Sequence, residues 1–380
     1  MPMARDFFKT YVDLPIAADQ RVLIDKILWF GKEFLKLDFE EMFKANLDIE
    51  ELHTHIEEKL IQLRSRATLP DFGIEEIDLL FVDAAYNQLT YLFASVLNEV
   101  QNGPVSNWHA RLAGELNAED RVLTFNWDTL LDRALSETRR WSTDSGYGFT
   151  PHKILRGSWC APNLVSTPET LLLKLHGSTN WLTSHTSDMR TNGRMQSTPL
   201  DTVHVYERTD APYDTYKGRF IAGYEPFSYG YYPPNIPDDL GLPAQDGYSF
   251  VRVSQERPDL GDGISGRSGL VSMPLIIPPV RQKQYDGFGH LYAGLWDQAE
   301  AALSSADTIS LIGYSFPVTD VRSQELFRSA LAKRTHLPRI IIVNPEPEAI
   351  VERFTRDYGV PDTQLTVHKE FLSPSSSTFI

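Results

Sequence analysis

The sequence predicts an α/β protein: a doubly wound parallel sheet, a helical module ahead of it and a long aromatic insertion within it. Three observations predict this. After residue 120, short and nearly continuous apolar runs alternate with helical stretches, the pattern of parallel strands covered on both faces. Residues 1–116 carry helical periodicity instead. Eight of the 16 tyrosines fall between Tyr206 and Tyr248, among many prolines and glycines.

In the helical module, Val22, Ile24, Ile27, Leu28, Phe34 and Leu35 recur at helical spacing, and Leu52, Ile56 and Leu60 follow in a second run. The longest helix is expected over Ile74–Val100, stopped by Gly103-Pro104, and a short one over Ser106–Leu116 with Ser106 as its N-cap. His53 and His55 stand two apart, so they face different sides of a helix and make an improbable metal pair.

Beyond residue 117 the strands expected are Arg121–Phe125, Leu171–Leu175, Met273–Ile277, Thr308–Ile312 and Arg339–Val343. Helices are expected over Asp128–Arg139, Thr319–Lys333 and Pro347–Tyr358. The segment from about Ser184 to Ser272 is too apolar and aromatic for a flexible linker, and Val203–Tyr206 suggests a short β piece. It either packs on its own domain or builds an assembly surface, for which tyrosines between Tyr213 and Tyr232 are the candidates.

Composition narrows the function classes. The chain has 380 residues, 42% hydrophobic and 23% charged, which suits a soluble globular protein. Its formal net charge of −15 repels nucleic acid and anionic membranes. No apolar stretch reaches the roughly 20 residues that span a bilayer, and no signal-peptide core opens the chain, so a cytoplasmic location is expected. One cysteine, Cys160, excludes an intramolecular disulfide and a multi-cysteine zinc site.

In an open parallel sheet, ligands bind beyond the carboxyl ends of the strands. Four of those ends are polar or glycine-rich here: Asn126-Trp127-Asp128, His176-Gly177-Ser178, Gly313-Tyr314-Ser315 and Asn344-Pro345. Together they offer a base, a carboxylate, amides, hydroxyls and glycines that admit a ligand to the backbone. Each also has a plainer explanation. Asn126 or Asp128 could cap the next helix, His176-Gly177 could be a turn, and Gly313 could serve only its own turn. The four ends together favour a ligand site.

The runs Thr124-Phe-Asn-Trp-Asp-Thr-Leu130, Lys174-Leu-His-Gly-Ser-Thr-Asn-Trp181, Ile312-Gly-Tyr-Ser315 and Val343-Asn-Pro345 resemble, in order and rough spacing, the motifs of the sirtuin-like family. More narrowly the chain looks like the bacterial sirtuin-like NAD hydrolases of antiviral defence, over about residues 117–345. The resemblance implies a Rossmann-like NAD-binding fold into which the helical module is inserted. It implies NAD as substrate, cleaved to nicotinamide and ADP-ribose with no metal. His176 would be the base and Asn126 would hold the ribose or the attacking water. Asp128 would accept from the carboxamide, and Phe125, Gly177 and Ser178 would complete the cofactor contacts. Gly313, Ser315 and Asn344 would meet the adenosine half.

The resemblance also implies a homo-oligomer, and a possible partner in a HerA-type DNA-translocating ATPase. Sirtuin deacylases carry four zinc-binding cysteines after the His-Gly motif, and their absence here argues against deacylation. The family's glycine-rich diphosphate loop does not precede residue 117, and Met1–Phe8 resembles the segment that follows that loop. Either the true start lies upstream or the main diphosphate cradle is missing. A catalytically weak scaffold, acting through oligomers or a partner ATPase, is therefore the alternative to an NAD hydrolase.

Overall fold

The computed structural model describes residues 6–14, 24–38, 41–42, 47–66, 75–101, 104–156, 158–164, 170–189, 195–199, 202–207, 272–280, 289–317 and 320–371. The assembly segment expected between Tyr213 and Tyr232 lies outside them.

The helical module comprises α1 (Phe7–Asp13), α2 (Asp25–Phe30), α3 (Ile49–Arg66), α4 (Glu75–Val100) and α5 (Asn107–Glu115). In α3, Ile49, Leu52, Ile56, Leu60 and Leu63 recur every three or four residues and are all buried, the one-faced pattern that packs a helix on a core. Their partners include Phe7, Ile27, Val82, Leu89 and Phe93. Ser106 caps α5 as expected, its hydroxyl accepting the His109 N–H at 3.3 Å. His53 is buried while His55 is exposed. No helix among the described residues is long and apolar enough to cross a membrane.

The strands are β1 (Arg121–Thr124), β2 (Lys153–Arg156), β3 (Ser158–Cys160), β4 (Leu171–Lys174), β5 (Gly177–Met189), β6 (Met195–Pro199), β7 (His204–Tyr206), β8 (Ser272–Ile276), β9 (Thr308–Ile312), β10 (Arg339–Val343) and β11 (Leu365–His368). Between them run α6 (Leu130–Glu137), α7 (Gly289–Ser305), α8 (Val321–Ala332) and the short α9 (Glu348–Glu352). The parallel strands stand where expected. Ile340, Ile342 and Val343 of β10 are buried without alternation, which marks a strand covered on both faces.

Among the described residues the parallel strands do not form a single sheet. β1 pairs with β4 in parallel, Arg121 opposite Leu171 and Thr124 opposite Lys174. A separate parallel sheet has the order β11-β10-β9, with Arg339 opposite Thr308. The strand around Ile276 belongs to neither: β8 runs antiparallel to β5 in a sheet ordered β3-β2-β7-β5-β6. Two residues explain the departure. Pro274 lacks an N–H for a central ladder. Gly177, at φ 80°, turns the chain from the end of β4 directly into β5. A Cβ there would lie 2.1 Å from the Leu275 carbonyl oxygen, so only glycine permits this crossing.

Both parallel sheets nevertheless share one core. Leu172 and Leu173 of β4, Ile309 and Leu311 of β9, and Ile340 and Ile342 of β10 pack with Leu295 and Trp296 of α7 and Leu326 and Phe327 of α8.

Candidate functional site

The carboxyl ends of β1, β4 and β9 meet through aromatic rings. Phe125 follows β1 and Tyr314 lies two residues past β9, and their rings stack at 4.4 Å and 18°. His176 sits two residues past β4, its ring 5.2 Å from that of Phe125 and 5.9 Å from that of Trp127. It is only 3% exposed. Its Nδ1 lies 3.2 Å from the Phe125 carbonyl oxygen and its Nε2 lies 3.3 Å from Asp320 Oδ2.

Asp320 is the N-cap of α8, where its side chain accepts the Ser323 N–H. Tyr314 donates its hydroxyl to Asp320 Oδ2 at 2.8 Å, and Ser323 Oγ is 2.7 Å from that hydroxyl. The motifs at the strand ends did not include Asp320. Its only sequence signal is an acidic residue just before a helix, and nothing in the order of residues links it to His176.

The other expected site residues divide in two. Asn126, Gly313 and Ser315 are exposed. Gly313 takes φ 67°, and a Cβ built there would meet nothing within 4 Å, so this backbone is open to a ligand. Asn126 is held in its turn by its own N–H, which donates to Thr124 Oγ1 at 3.1 Å. Phe125 and Asp128 are half-buried. One Asp128 oxygen accepts the Leu130 N–H at 3.0 Å, a local side-chain-to-backbone turn ahead of α6, whose N-cap is Thr129.

The remaining residues face inward. The space beside Gly177 is filled by Leu275 and Tyr292. Ser178 is buried and donates to Asn180 Oδ1 at 2.6 Å. Asn344 is buried too, with its Oδ1 accepting the Glu346 N–H at 2.8 Å. The site brings the rings of Phe125, His176 and Tyr314 together, with Asn126 and Gly313 as exposed chain neighbours of Phe125 and Tyr314, and turns Gly177 and Ser178 into the protein.

A buried polar network supports the loop that carries Asn126. Lys174 Nζ donates to the Asp128 carbonyl and lies 3.2 Å from both Asp132 oxygens. Tyr147 donates its hydroxyl to Asp132 Oδ1 at 2.6 Å. Burial, and then the Asp132 charge, pushes the Tyr147 hydroxyl well above its ordinary pKa, so it remains a donor. From the end of the helical module, Gln101 Oε1 accepts both the N–H and the hydroxyl of Thr129 at 2.6 and 3.0 Å. Arg133 in turn donates to the Gln101 carbonyl at 2.9 Å. Trp127 completes the junction, with its indole N–H donated to the Ile277 carbonyl at 2.9 Å and its ring 5.0 Å from Phe93 of α4.

Among the described residues, no group of three or more His, Cys, Asp and Glu side chains is placed to hold a metal. Comparison with family models gives no match, and no curated protein matches the chain.

Proposed function

We propose that the chain is an NAD glycohydrolase with a Rossmann-like, sirtuin-like arrangement. It would be a cytoplasmic NAD-depleting effector of bacterial antiviral defence, gated by assembly. The observation that carries this reading is the stacked Phe125–Tyr314 pair with the His176 ring against Phe125, next in the chain to exposed Asn126 and the open Gly313 backbone. Parallel strands that share one core and end in these residues support it.

In the proposed reaction the bond between ribose C1′ and the nicotinamide nitrogen breaks. The bonding pair stays on nicotinamide, which leaves neutral. The ribose becomes oxocarbenium-like, water adds at C1′, and the water proton passes to a base or to solvent. Asn126 orients the ribose or the water with its amide, and His176 serves as the base. The Asp128 oxygen not held by the Leu130 N–H accepts from the carboxamide. Gly313 and Ser315 meet the adenosine half, with Asn344 holding their loop through the Tyr314 carbonyl, 3.5 Å from its Nδ2. No step requires a metal.

A second reading has its own support. With His176 3% exposed and both ring nitrogens at protein oxygens, the chain also suits a catalytically weak scaffold acting through oligomers or a HerA-type ATPase. One experiment separates them. Nicotinamide release from NAD is measured on size-fractionated wild type, His176→Ala and Asn126→Ala, with and without a HerA-type ATPase. The hydrolase reading expects release in an assembled fraction, falling on the order of 10²–10⁴-fold in His176→Ala. Wild-type turnover in both variants overturns the roles. Assembly without release in any fraction favours the scaffold.

A further inference from the structure

We infer that Asp320 is the positioning partner of His176: it holds the Nε2 proton and leaves Nδ1, aimed at the Phe125–Asn126 peptide, as the nitrogen through which the ring exchanges a proton. The inference concerns the site proposed above, and its catalytic consequence rests on His176 being the base.

Four observations carry it. Asp320 Oδ2 lies 3.3 Å from His176 Nε2, with the two side chains 1% and 4% exposed. A carboxylate in so dry a place must be paired, and the ring nitrogen facing it must carry a proton to pair with it. The Asp320 carboxylate is fixed independently of the histidine, by the Tyr314 hydroxyl at 2.8 Å and the Ser323 N–H at 3.4 Å. The positive end of the twelve-residue α8 further favours its charged form. The ring is thus aligned by a group that is itself held on a helix.

The opposite nitrogen meets a different partner. Nδ1 lies 3.2 Å from the Phe125 carbonyl oxygen, which can only accept. At rest, therefore, a ring protonated on both nitrogens satisfies both neighbours, and a neutral ring leaves the Nδ1 lone pair against an oxygen. To act as a base Nδ1 must first give its proton to solvent, and moving the Phe125 carbonyl away, the acceptor that holds that proton, favours this loss. That carbonyl belongs to the peptide that continues into exposed Asn126. A ligand gripped by Asn126 would thus release Nδ1, which gates the base by occupancy of the site.

Among the described residues, several groups stand against the ring. Phe125 and Trp127, the rings beside it on the β1 side, do not ionise near neutral pH. On the α8 side stand Asp320 and, through it, Tyr314. On the α7 side, Tyr292 lies against Gly177. Asp320 is the carboxylate among these groups.

The test is nitrogen NMR of histidine-labelled full chain, without NAD, on wild type and Asp320→Asn, with His176 assigned by its loss in His176→Gln. Asparagine keeps the α8 cap and removes the charge. Wild type should show Nε2 protonated across the titration and Nδ1 alone exchanging its proton. Asp320→Asn should lower the His176 pKa by at least about one unit, the equivalent of about 1.4 kcal/mol of lost charge pairing. An unchanged tautomer and pKa would make Asp320 a helix cap and nothing more. Wherever nicotinamide release is measurable, the same variant should lower kcat far more than it raises KM and shift the pH profile. Absence of release in wild type would fail the hydrolase reading and leave the NMR result to decide the role of Asp320.

Discussion

Lys174→Met is expected to destabilise the protein by about 3–5 kcal/mol, the usual cost of breaking a buried ion pair from one side. Lys174 and Asp132 are 1% and 7% exposed at 3.2 Å, so water cannot compensate the carboxylate that the substitution leaves behind. Tyr147 would still donate to it, but a neutral hydroxyl does not replace an ammonium. Methionine fills much the same volume, so the loss reports charge and hydrogen bonds, not a cavity. Urea denaturation followed by circular dichroism measures it. The double variant Lys174→Met/Asp132→Leu should recover a large part, because a buried pair exchanged for apolar residues is often neutral or better. A single variant within 1 kcal/mol of wild type, a threshold of roughly one ordinary hydrogen bond, would show that the pair contributes little.

Acidification should weaken the helical module through His53. Its ring is fully buried between Tyr86 and Phe93, at 6.0 and 6.4 Å, and neither nitrogen has a hydrogen-bond partner. Burial pushes its pKa down to about 3, so the folded protein holds it neutral while the unfolded chain protonates near 6.5. The stability this contributes is complete above pH 6.5 and is lost as pH falls toward 3. The loss is about 1.4 kcal/mol per unit, hence on the order of 3 kcal/mol by pH 4.5.

Glu57, one turn further along α3, opposes it. Burial, and then the Glu58 charge, raises its carboxyl to about 7. Its contribution is therefore complete below about 4.5 and lost as pH rises through 7. The two are separated by unfolding titrations of His53→Leu and Glu57→Gln between pH 4 and 8. His53→Leu should lose less stability on acidification than wild type. Parallel curves for His53→Leu and wild type would refute the assignment.

Sequence carries local grammar better than long-range partnership. Arg339–Val343 reads as a buried strand because both of its faces are covered, Ile340 and Ile342 in the main core and Ile341 and Val343 in a smaller cluster. An unbroken apolar run records that. Thr308–Ile312 buries one face fully, through Ile309 and Leu311. The same kind of run at Met273–Ile277 misled, since apolar character says that a strand is buried and not which sheet buries it. Pro274 was the warning sign. The helix Gly289–Ser305 buries a one-faced stripe, Tyr292, Leu295, Trp296, Ala299 and Leu303, which alanines and a glycine on its other faces dilute in the sequence.

In the site, polar residues at strand ends were legible as a group, and the rings of Phe125, His176 and Tyr314, the neighbours of Asn126 and Gly313 in the chain, do meet there. Which of them face outward was not legible. Ser178 and Gly177 look like ligand groups in a motif, yet Ser178 is spent on Asn180 and Gly177 on a crossing of backbones. Asp320 joins His176 across 144 positions of chain, a distance over which spacing says nothing.

The grip of Gln101 on Thr129 has a genetic meaning. Substitutions that silence the protein should not cluster only around Asn126 and His176. A screen for loss of function should also return Gln101, whose side chain holds Thr129 three residues beyond Asn126, and Asn98, to which Gln101 donates at 2.8 Å. Such alleles would map to the last turn of α4 while acting on the opposite end of a hydrogen-bond chain. Suppressors would arise at Thr129 or Arg133, so that inheritance would tie together two stretches that share no motif.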